Sequence, residues 1–276
     1  MAARRRLDLE LVRRGLSDSR ESARRAIEEH RVTVNGAIGD KPARQVLPGD
    51  ALEIAGPPSR YVGRGAHKLV RALDAFDIDP AGRRCLDVGA STGGFTDALL
   101  QRGAVTVVAL DVGHGQLHER LRADSRVHSM ERTNIRHVGP DDIGGPFDLV
   151  AVDVSFISLQ AVIDSLAAET AESGVLIALV KPQFEAGRVE ASRARGVITD
   201  PAVWSRTLDE VTERASRHGL GLRALTPSPI RGADGNVEFL ARFDRFGPTA
   251  DPRVLIAAAI AMVADQPPGV TPPDLA

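Results

Sequence analysis

The stretch LDVGASTGGF, residues 86–95, decides the fold class of this chain. It begins as a short apolar strand, continues into a turn with three glycines, and ends where a helix can start. A strand that passes through a glycine-rich turn into a helix is typical of nucleotide-binding sites in α/β proteins. The stretch therefore predicts a binding turn, whose ligand has to be inferred from the surrounding sequence.

Apolar strands and helical stretches alternate around and after this turn. We predict strands and intervening helices in chain order, with strands at 85–88, 106–110, 127–130, 147–153 and 174–180 and helices that include 95–102, 159–171 and 200–218. This alternation favours a mostly parallel sheet covered on both faces, with ligands bound at the carboxyl ends of its strands. The predicted fold class is α/β, with a Rossmann-like sheet.

Three kinds of ligand compete for the turn. A phosphate-binding loop needs Gly-Lys-Ser/Thr, but Gly93-Gly94 is followed by Phe95 and Thr96, which makes a nucleoside triphosphatase a poor match. The dinucleotide pattern G-x-G-x-x-G is also not met, although this departure does not exclude NAD. S-adenosylmethionine has no pyrophosphate, and Gly89 and Gly93 would permit the close backbone approach that its amino-acid part requires.

Polar residues after the second and third strands complete the predicted cofactor site. Asp111 follows its strand at the position where an acid holds ribose hydroxyls, although such an acid can also cap the next segment. Asn134 follows the third strand and is a candidate for the adenine edge. The full set of predicted cofactor contacts is Gly89, Ser91, Thr92, Gly93, Gly94, Phe95, Asp111 and Asn134.

Two further polar residues follow buried strands directly. Asp153 ends the fourth strand and Lys181 follows the fifth, so both are expected at the open edge of the sheet beside the cofactor. A buried structural salt bridge is the alternative interpretation. Lys68 and Glu238 lie far away in sequence, and either one alone would be interpreted as a surface charge.

The amino-terminal part of the chain differs in charge and pattern. Residues 1–71 hold 15 Lys and Arg against 9 Asp and Glu, so this part carries +6 while the whole chain carries −2. We predict a helix capped by Asp8, a second helix capped by Asp18 with Glu21 completing a capping box, and a small hairpin sheet that turns at Asn35-Gly36. A compact basic module of this kind is suited to a polyanion, unless its acidic residues neutralise the arginines.

Several classes of protein are disfavoured by composition. The single cysteine, Cys85, excludes an intramolecular disulfide framework, and the scattered histidines give no metal-ligand spacing, so we predict no metal site. No apolar run is long enough to span a bilayer, and the first residues do not resemble a signal peptide. We expect a cytoplasmic protein that does not bind a membrane.

The basic module resembles the S-four-type RNA-binding domain. The residues that carry this resemblance are Leu-Asp-x-x-Leu-Val-x-x-Gly, Ser19-Arg20, Val-x-Val-Asn-Gly, Lys41-Pro42 and Pro48-Gly49-Asp50. The resemblance implies binding of structured RNA, with Arg6 and Arg20 as the best contact candidates. We predict domains at 1–58 for this module and 59–266 for the α/β body, followed by a disordered tail at 267–276.

The whole chain resembles the TlyA family, ribosomal-RNA 2′-O-methyltransferases once labelled hemolysins. The resemblance rests on Arg64-Gly-Ala-His-Lys68, the glycine turn, Glu-Arg-Thr-Asn134, Asp153-Val-Ser-Phe-Ile-Ser158, Val-Lys181-Pro-Gln-Phe184 and Gly-Asn-Val-Glu238. It implies an FtsJ-like catalytic tetrad of Lys68, Asp153, Lys181 and Glu238, S-adenosylmethionine as the methyl donor, and ribosomal RNA or ribosomal subunits as the partner. Lys181 is then the candidate base, oriented by Asp153, while Glu238 holds Lys68.

Three other functions are alternatives to methyl transfer. The first is a non-catalytic RNA-binding protein with a methyltransferase-like scaffold, although all four tetrad positions are filled. The second is the pore-forming role that the hemolysin label suggests, for which the sequence offers no mechanism. The third is a dehydrogenase. Residues 183–199 are predicted to form a long polar loop that faces RNA as a flap.

Overall fold

A computed structural model describes residues 4–17, 20–28, 30–56, 60–232, 235–245 and 251–264. The chain divides into two compact units. The first, called here the N-terminal unit, extends to Arg64, and the second, the C-terminal unit, begins at Gly65. The predicted boundary at 58/59, the predicted cap Asp18 and the predicted tail at 267–276 all lie outside the described residues.

In its described residues, the N-terminal unit contains two helices and five short strands. In chain order these are β1 (Arg5–Arg6), α1 (Leu7–Arg13), α2 (Arg20–Glu28), β2 (Val32–Val34), β3 (Ala37–Ile38), β4 (Gln45–Val46) and β5 (Leu52–Ile54). Strand β2 lies between β3 and β5 in an antiparallel sheet, and β1 pairs with β4. The apolar faces of both helices pack with β2 to form a small core. This core includes Leu7, Leu11, Ile27 and Val32.

One prediction for this unit is wrong. Asp8 does not cap α1, because the helix already begins at Leu7 and Arg6 occupies the cap position. The Asp8 side chain is instead fully buried inside the unit, where it accepts hydrogen bonds from two arginines. The sequence pattern was misleading because a capping carboxylate and a buried carboxylate look alike near the start of a helix.

The C-terminal unit is built around one seven-stranded sheet. Its elements in chain order are α3 (Gly65–Ala75), β6 (Arg84–Val88), α4 (Gly94–Gln101), β7 (Thr106–Leu110), α5 (Glu119–Arg122), β8 (Val127–Met130), α6 (Pro140–Ile143), β9 (Phe147–Val152), α7 (Ile163–Glu169), β10 (Thr170–Val180), α8 (Pro182–Glu185), α9 (Arg188–Arg193), α10 (Pro201–Ser216), β11 (Gly221–Pro227), β12 (Phe239–Asp244) and α11 (Pro252–Ala264). Two 3₁₀ turns, Ile135–His137 and Leu159–Ala161, interrupt this series. The predicted α/β fold is confirmed.

The order of strands across the sheet is β11-β12-β10-β9-β6-β7-β8. The five strands β10, β9, β6, β7 and β8 are parallel to their neighbours in this order, whereas β12 is antiparallel to both β10 and β11. From β6 the chain first proceeds to β7 and β8 on one side and then returns to β9 and β10 on the other. The carboxyl ends of β6 and β9 therefore flank the switch point at which open α/β sheets bind ligands.

Two predictions about local structure are wrong. The helix expected at 159–171 is a 3₁₀ turn followed by the shorter α7, and β10 already begins at Thr170 with an irregularity in its pairing before Val175. The polar loop expected at 183–199 contains the short helices α8 and α9. Its end is fixed by Asn236, whose side chain accepts from the Ile198 amide and donates to the Gly196 carbonyl.

Within the described ranges, no helix has the length and apolar character needed to cross a membrane.

Candidate active site

The glycine turn lies at the switch point and is packed closely against the loop after β9. Gly89 has a φ of +84°, and a Cβ atom at this position would overlap the backbone carbonyl of Asp153. The Asp153 amide in turn donates to the Val88 carbonyl at 2.9 Å. Gly93, with a φ of +96°, precedes α4 and has no room for a side chain because Leu121 packs against it. Glycine is required at Gly89 by conformation and by the nearby backbone, and at Gly93 by its positive φ.

The predicted cofactor residues line this turn and the neighbouring strand end. Ser91 and Thr92 are exposed, whereas the Phe95 side chain is buried in α4 and can offer a ligand only its backbone. The Asp111 carboxylate accepts hydrogen bonds from the backbone amides of Ser91 (2.8 Å) and Gly113 (2.7 Å). These bonds fix Asp111 beside the turn and leave each oxygen able to accept a further bond.

Asn134 has a local structural role in addition to its predicted one. Its side-chain oxygen accepts from the Arg136 amide at 3.1 Å and so caps the 3₁₀ turn at Ile135–His137. The Asp111 amide donates to the Met130 carbonyl, so the loops that carry Asp111 and Asn134 leave the sheet side by side. Contact of Asn134 with an adenine edge stays a prediction.

Asp87, in the middle of the quoted motif, is a functional candidate that the sequence reasoning missed. It is fully buried, and its Oδ2 accepts from the Thr96 amide (2.9 Å) and hydroxyl (2.6 Å). Burial raises the pKa of Asp87 to about 7, although the two bonds from Thr96 oppose this change. Its Oδ1 has no hydrogen-bond partner among the described residues. A carboxylate within an apolar strand was the signal that could have identified it.

The four residues of the predicted tetrad meet at this edge of the sheet. Lys181 Nζ lies 2.5 Å from Asp153 Oδ1, and Lys68 Nζ lies 2.7 Å from Glu238 Oε2 and 3.7 Å from Asp153 Oδ2. The two lysine side chains are only 7% and 10% exposed, so both ammonium groups depend on these carboxylates for compensation. The side chains thus form one continuous chain of ion pairs in the order Lys181, Asp153, Lys68, Glu238.

Strand direction explains why Glu238 joins the other three residues. Asp153 and Lys181 follow the carboxyl ends of β9 and β10, whereas Glu238 immediately precedes β12. Because β12 is antiparallel to β10, with Phe239 opposite Val180, its amino end lies at the same edge as the carboxyl ends of its neighbours. Lys68 is contributed by α3, whose apolar face is buried.

Comparison with known proteins agrees with this geometry. The FtsJ-like methyltransferase family matches residues 61–245, and the S4 domain matches residues 5–52. The 16S/23S rRNA (cytidine-2′-O)-methyltransferase TlyA of Mycobacterium tuberculosis is 49% identical over 243 residues, which cover 87% of this chain and 89% of that protein. The chain belongs to the TlyA family of FtsJ-like methyltransferases.

Solved structures support the same assignment. A protein of Streptococcus thermophilus described as a hemolysin superposes with a TM-score of 0.75 at 38% identity, covering 96% of this chain and 97% of that one. An S-adenosylmethionine-dependent methyltransferase of Listeria monocytogenes reaches a TM-score of 0.50 at 15% identity over 66% of this chain and 99% of its own, a likeness of fold alone. The FtsJ-like part of this TlyA-family chain therefore has the fold of S-adenosylmethionine-dependent methyltransferases.

The loop after β9 and helix α8 of this FtsJ-like unit together hold three residues that the sequence reasoning did not single out. Lys181 donates to the Ser155 hydroxyl at 2.9 Å. Phe156 is 93% exposed with a φ of +64°, and its ring lies 5.4 Å from the Phe184 ring. Glu185 accepts from the Ser158 hydroxyl and the Leu159 amide, both at 2.6 Å, and burial raises its pKa. The loops that carry Asp153 and Lys181 are thereby joined at several points.

In the S4 domain of this TlyA-family protein, the two arginines predicted to contact RNA both donate hydrogen bonds to the carboxylate of Asp8. Arg6 donates to Asp8 through Nε and Nη2, and Arg20 donates to it through Nε, each bond being 3.0 Å long. Burial alone would raise the pKa of Asp8, but the bonds from both arginines outweigh this effect and lower it to about 2. The structure brings Arg6 and Arg20 together, although 14 positions separate them in sequence.

Among the residues that the structure describes, no three His, Cys, Asp or Glu side chains lie close enough together to hold a metal ion. The lone Cys85 is buried in β6, and burial raises its pKa to about 12, which is unsuitable for a thiolate nucleophile or ligand.

Proposed function

We propose that this chain transfers a methyl group from S-adenosylmethionine to the 2′-hydroxyl of a cytidine ribose in ribosomal RNA. The observation that carries the proposal is the 2.5 Å contact between Lys181 Nζ and Asp153 Oδ1 beside a glycine turn that packs on Asp153 itself. The cytidine and the ribosomal RNA are taken from the name of the relative in Mycobacterium tuberculosis. Such a substrate implies that the protein acts in the cytoplasm.

The residues around the turn fit S-adenosylmethionine. Gly89 and Gly93 keep the turn free of side chains, and Asp111 keeps acceptor capacity for ribose hydroxyls. Val112, the next residue, is 68% exposed, and a stacked adenine would cover its apolar side chain. We assign Gly89, Ser91, Thr92, Gly93, Gly94, Phe95, Asp111 and Asn134 as cofactor contacts, with Phe95 contributing backbone only. When bound, the sulfonium of the cofactor supplies an electrophilic methyl group.

Lys181 is the proposed proton acceptor. A ribose hydroxyl is a weak acid, so its attack on a methyl carbon needs a base within hydrogen-bond distance and an in-line approach. In the neutral form, Lys181 Nζ would accept the 2′-hydroxyl proton as the ribose oxygen bonds to the methyl carbon. The cofactor would supply that methyl group and leave as a neutral thioether. Ser155 and Asp153 hold Nζ at a fixed position during this transfer.

The other tetrad residues position Lys181 and balance charge. Asp153 accepts from Lys181 through one oxygen and lies 3.7 Å from Lys68 through the other, so it is shared between two cations. Glu238 holds Lys68 at 2.7 Å and prevents that buried ammonium group from competing fully for Asp153. With both lysines protonated, the four charges cancel, and proton uptake and release at Lys181 change the net charge by one.

Two features support RNA as the substrate. The S4 domain carries the arginines Arg6 and Arg20 at its surface, where they suit phosphate contacts. Phe156 is almost entirely exposed and lies next to the tetrad, where an unstacked nucleobase would find an aromatic face. We infer that residues 1–58 bind ribosomal RNA and that residues 59–266 carry the methyltransferase site.

The test is methyl transfer to purified 30S and 50S subunits with a donor labelled in its methyl group. We expect label in 2′-O-methylcytidine after nuclease digestion and mass spectrometry, with Lys181→Ala as the inactive control that still binds donor normally. Label on a base, or equal transfer by Lys181→Ala, would contradict the proposal. Binding of NAD in place of the methyl donor would favour a dehydrogenase, and RNA binding without any transfer would favour a non-catalytic scaffold.

A further inference from the structure

The carboxylate of Asp8 in the N-terminal unit is fully occupied by hydrogen bonds. Its Oδ1 accepts from Arg6 Nε and from the Leu9 amide, and its Oδ2 accepts from Arg6 Nη2 and Arg20 Nε, with all four distances at 3.0 Å. A carboxylate offers about four acceptor positions, so Asp8 has none left for another group. The residue itself has no exposed surface. Asp8 is therefore a fixed internal anchor for two guanidinium groups from different elements.

The two arginines remain open to a ligand although they are anchored. Their side chains are 38% (Arg6) and 54% (Arg20) exposed. Each guanidinium has five N–H donors, and Asp8 uses two of Arg6 and one of Arg20. Two cations on one anion leave a net charge of +1 at this point. The arrangement is a pair of oriented donor groups, and phosphate is the anion whose geometry guanidinium forks match best.

A second carboxylate in the same unit shows a different use of arginine. Glu10 accepts from Arg13 and Arg14, but Arg14 also donates to the carbonyl oxygens of Leu47, Pro48 and Asp50. Its donors are consumed inside the unit, and its side chain is only 20% exposed. Arg14 therefore ties α1 to the loop before β5. Arg6 and Arg20 are more exposed than Arg14. Among the described residues, their side chains donate hydrogen bonds to Asp8 alone.

We propose that Asp8 organises Arg6 and Arg20 into a preformed site for one backbone phosphate of RNA, so that this buried acid increases affinity for a polyanion. The inference rests on the proposed function, since it assumes that the N-terminal unit binds RNA. Each free arginine side chain would lose considerable rotamer entropy on binding. Anchoring on Asp8 removes much of that loss before the RNA arrives.

Loss of the negative charge of Asp8 is expected to weaken RNA binding, whereas net charge alone would strengthen it. Replacing Asp8 by Asn removes a negative charge, and general electrostatics would then tighten RNA binding. In the proposed site, however, the Asn amide would present N–H groups to guanidinium N–H groups and release at least one arginine. The organised pair would be lost, and binding would weaken.

The experiment compares full-length wild type, Asp8→Asn and Asp40→Asn for binding to purified 30S and 50S subunits. Asp40 is an exposed acid of the same unit, so its variant makes the same charge change without touching the arginines. We expect the Kd of Asp8→Asn to rise about tenfold and that of Asp40→Asn to stay the same or fall slightly. Equal or tighter binding by Asp8→Asn would overturn the inference and leave the methyltransferase proposal intact. Absence of subunit binding by wild type would instead contradict the proposed function.

Arg20→Lys provides a second variant if Asp8→Asn lowers the thermal stability of the unit. This substitution at a half-exposed side chain keeps the charge but replaces the planar fork by a single ammonium group. We expect a several-fold loss of affinity with an unchanged dependence on salt, because the number of cationic charges is the same. Affinity equal to that of wild type would mean that guanidinium geometry does not matter at this site.

Discussion

Asp8 in the N-terminal unit and Asp153 in the C-terminal unit each hold two cationic side chains, but the cations and their surroundings differ. The partners of Asp8 are arginines with 38% and 54% exposure, whereas the partners of Asp153 are lysines with 10% and 7% exposure. A guanidinium stays charged and keeps several donors for an outside ligand, while a lysine amine can take up and release a proton. The same arrangement of one acid and two bases is thus suited to binding in one unit and to proton transfer in the other.

Two further buried acids, one with cationic partners and one without, extend the contrast. In the N-terminal unit, the bonds from Arg13 and Arg14 lower the pKa of Glu10 to about 2 in spite of burial. In the C-terminal unit, burial raises the pKa of Glu169 to about 7, and neither of its oxygens has a partner in the described part of the chain. Glu10 therefore stabilises the folded state at higher pH, whereas Glu169 does so at lower pH.

The largest predicted effect is on the methylation rate, when the lysine at position 181 is replaced by arginine. Lys181→Arg keeps the positive charge but cannot act as a base, so we expect the single-turnover methylation rate to fall by about 10²- to 10⁴-fold. Donor affinity, measured by calorimetry, should change by less than about threefold, because Lys181 is not assigned to the cofactor site. The reverse exchange, Arg20→Lys, should leave the rate at saturating RNA unchanged. Appreciable activity of Lys181→Arg would remove the proposed division between the two clusters.

Removal of the exposed ring at Phe156 should have an intermediate effect. Stacking of a base on an aromatic side chain contributes about 1–3 kcal/mol, so Phe156→Ala should lower kcat/KM for subunits by about tenfold. Direct binding of subunits should be nearly unchanged, because the N-terminal unit provides the anchor. Met262→Ala, which removes an exposed apolar side chain from α11, is the matched control and should have no effect. If Phe156→Ala lowered subunit binding as much as Asp8→Asn does, the N-terminal unit would not be the main anchor for the subunit.

The smallest predicted effect concerns stability. The raised pKa of Glu169 means that the folded state retains a proton that the unfolded state releases above about pH 4.5. Its contribution to stability is therefore lost as the pH rises towards and beyond 7. We expect Glu169→Gln to raise the melting temperature by a few degrees at pH 8 and by less at pH 5, as measured by calorimetry. An equal shift at both pH values would show that Glu169 is already ionised in the folded protein.

Much of the C-terminal unit could be predicted from local patterns. The strand ends placed Asp153 and Lys181 at one edge, because parallel strands bring their carboxyl ends together. The position of Glu238 could be inferred only by resemblance, since nothing local indicates that β12 runs in the opposite direction. The role of Asp8 was missed because its partners, Arg6 and Arg20, are brought to it by the packing of α1 against α2. Residues 183–199 contain two short helices, although their polar composition indicates a loop.

The antiparallel position of β12 has a consequence for biosynthesis. This strand lies between β10 and β11, yet it is the last strand of the sheet in chain order among the described residues. A nascent chain that has emerged only as far as β11 lacks Glu238, and its Lys68 has no second carboxylate. Its sheet also leaves the edges of β10 and β11 unpaired. The four-residue cluster is therefore assembled only after β12 has been synthesised and has paired between β10 and β11.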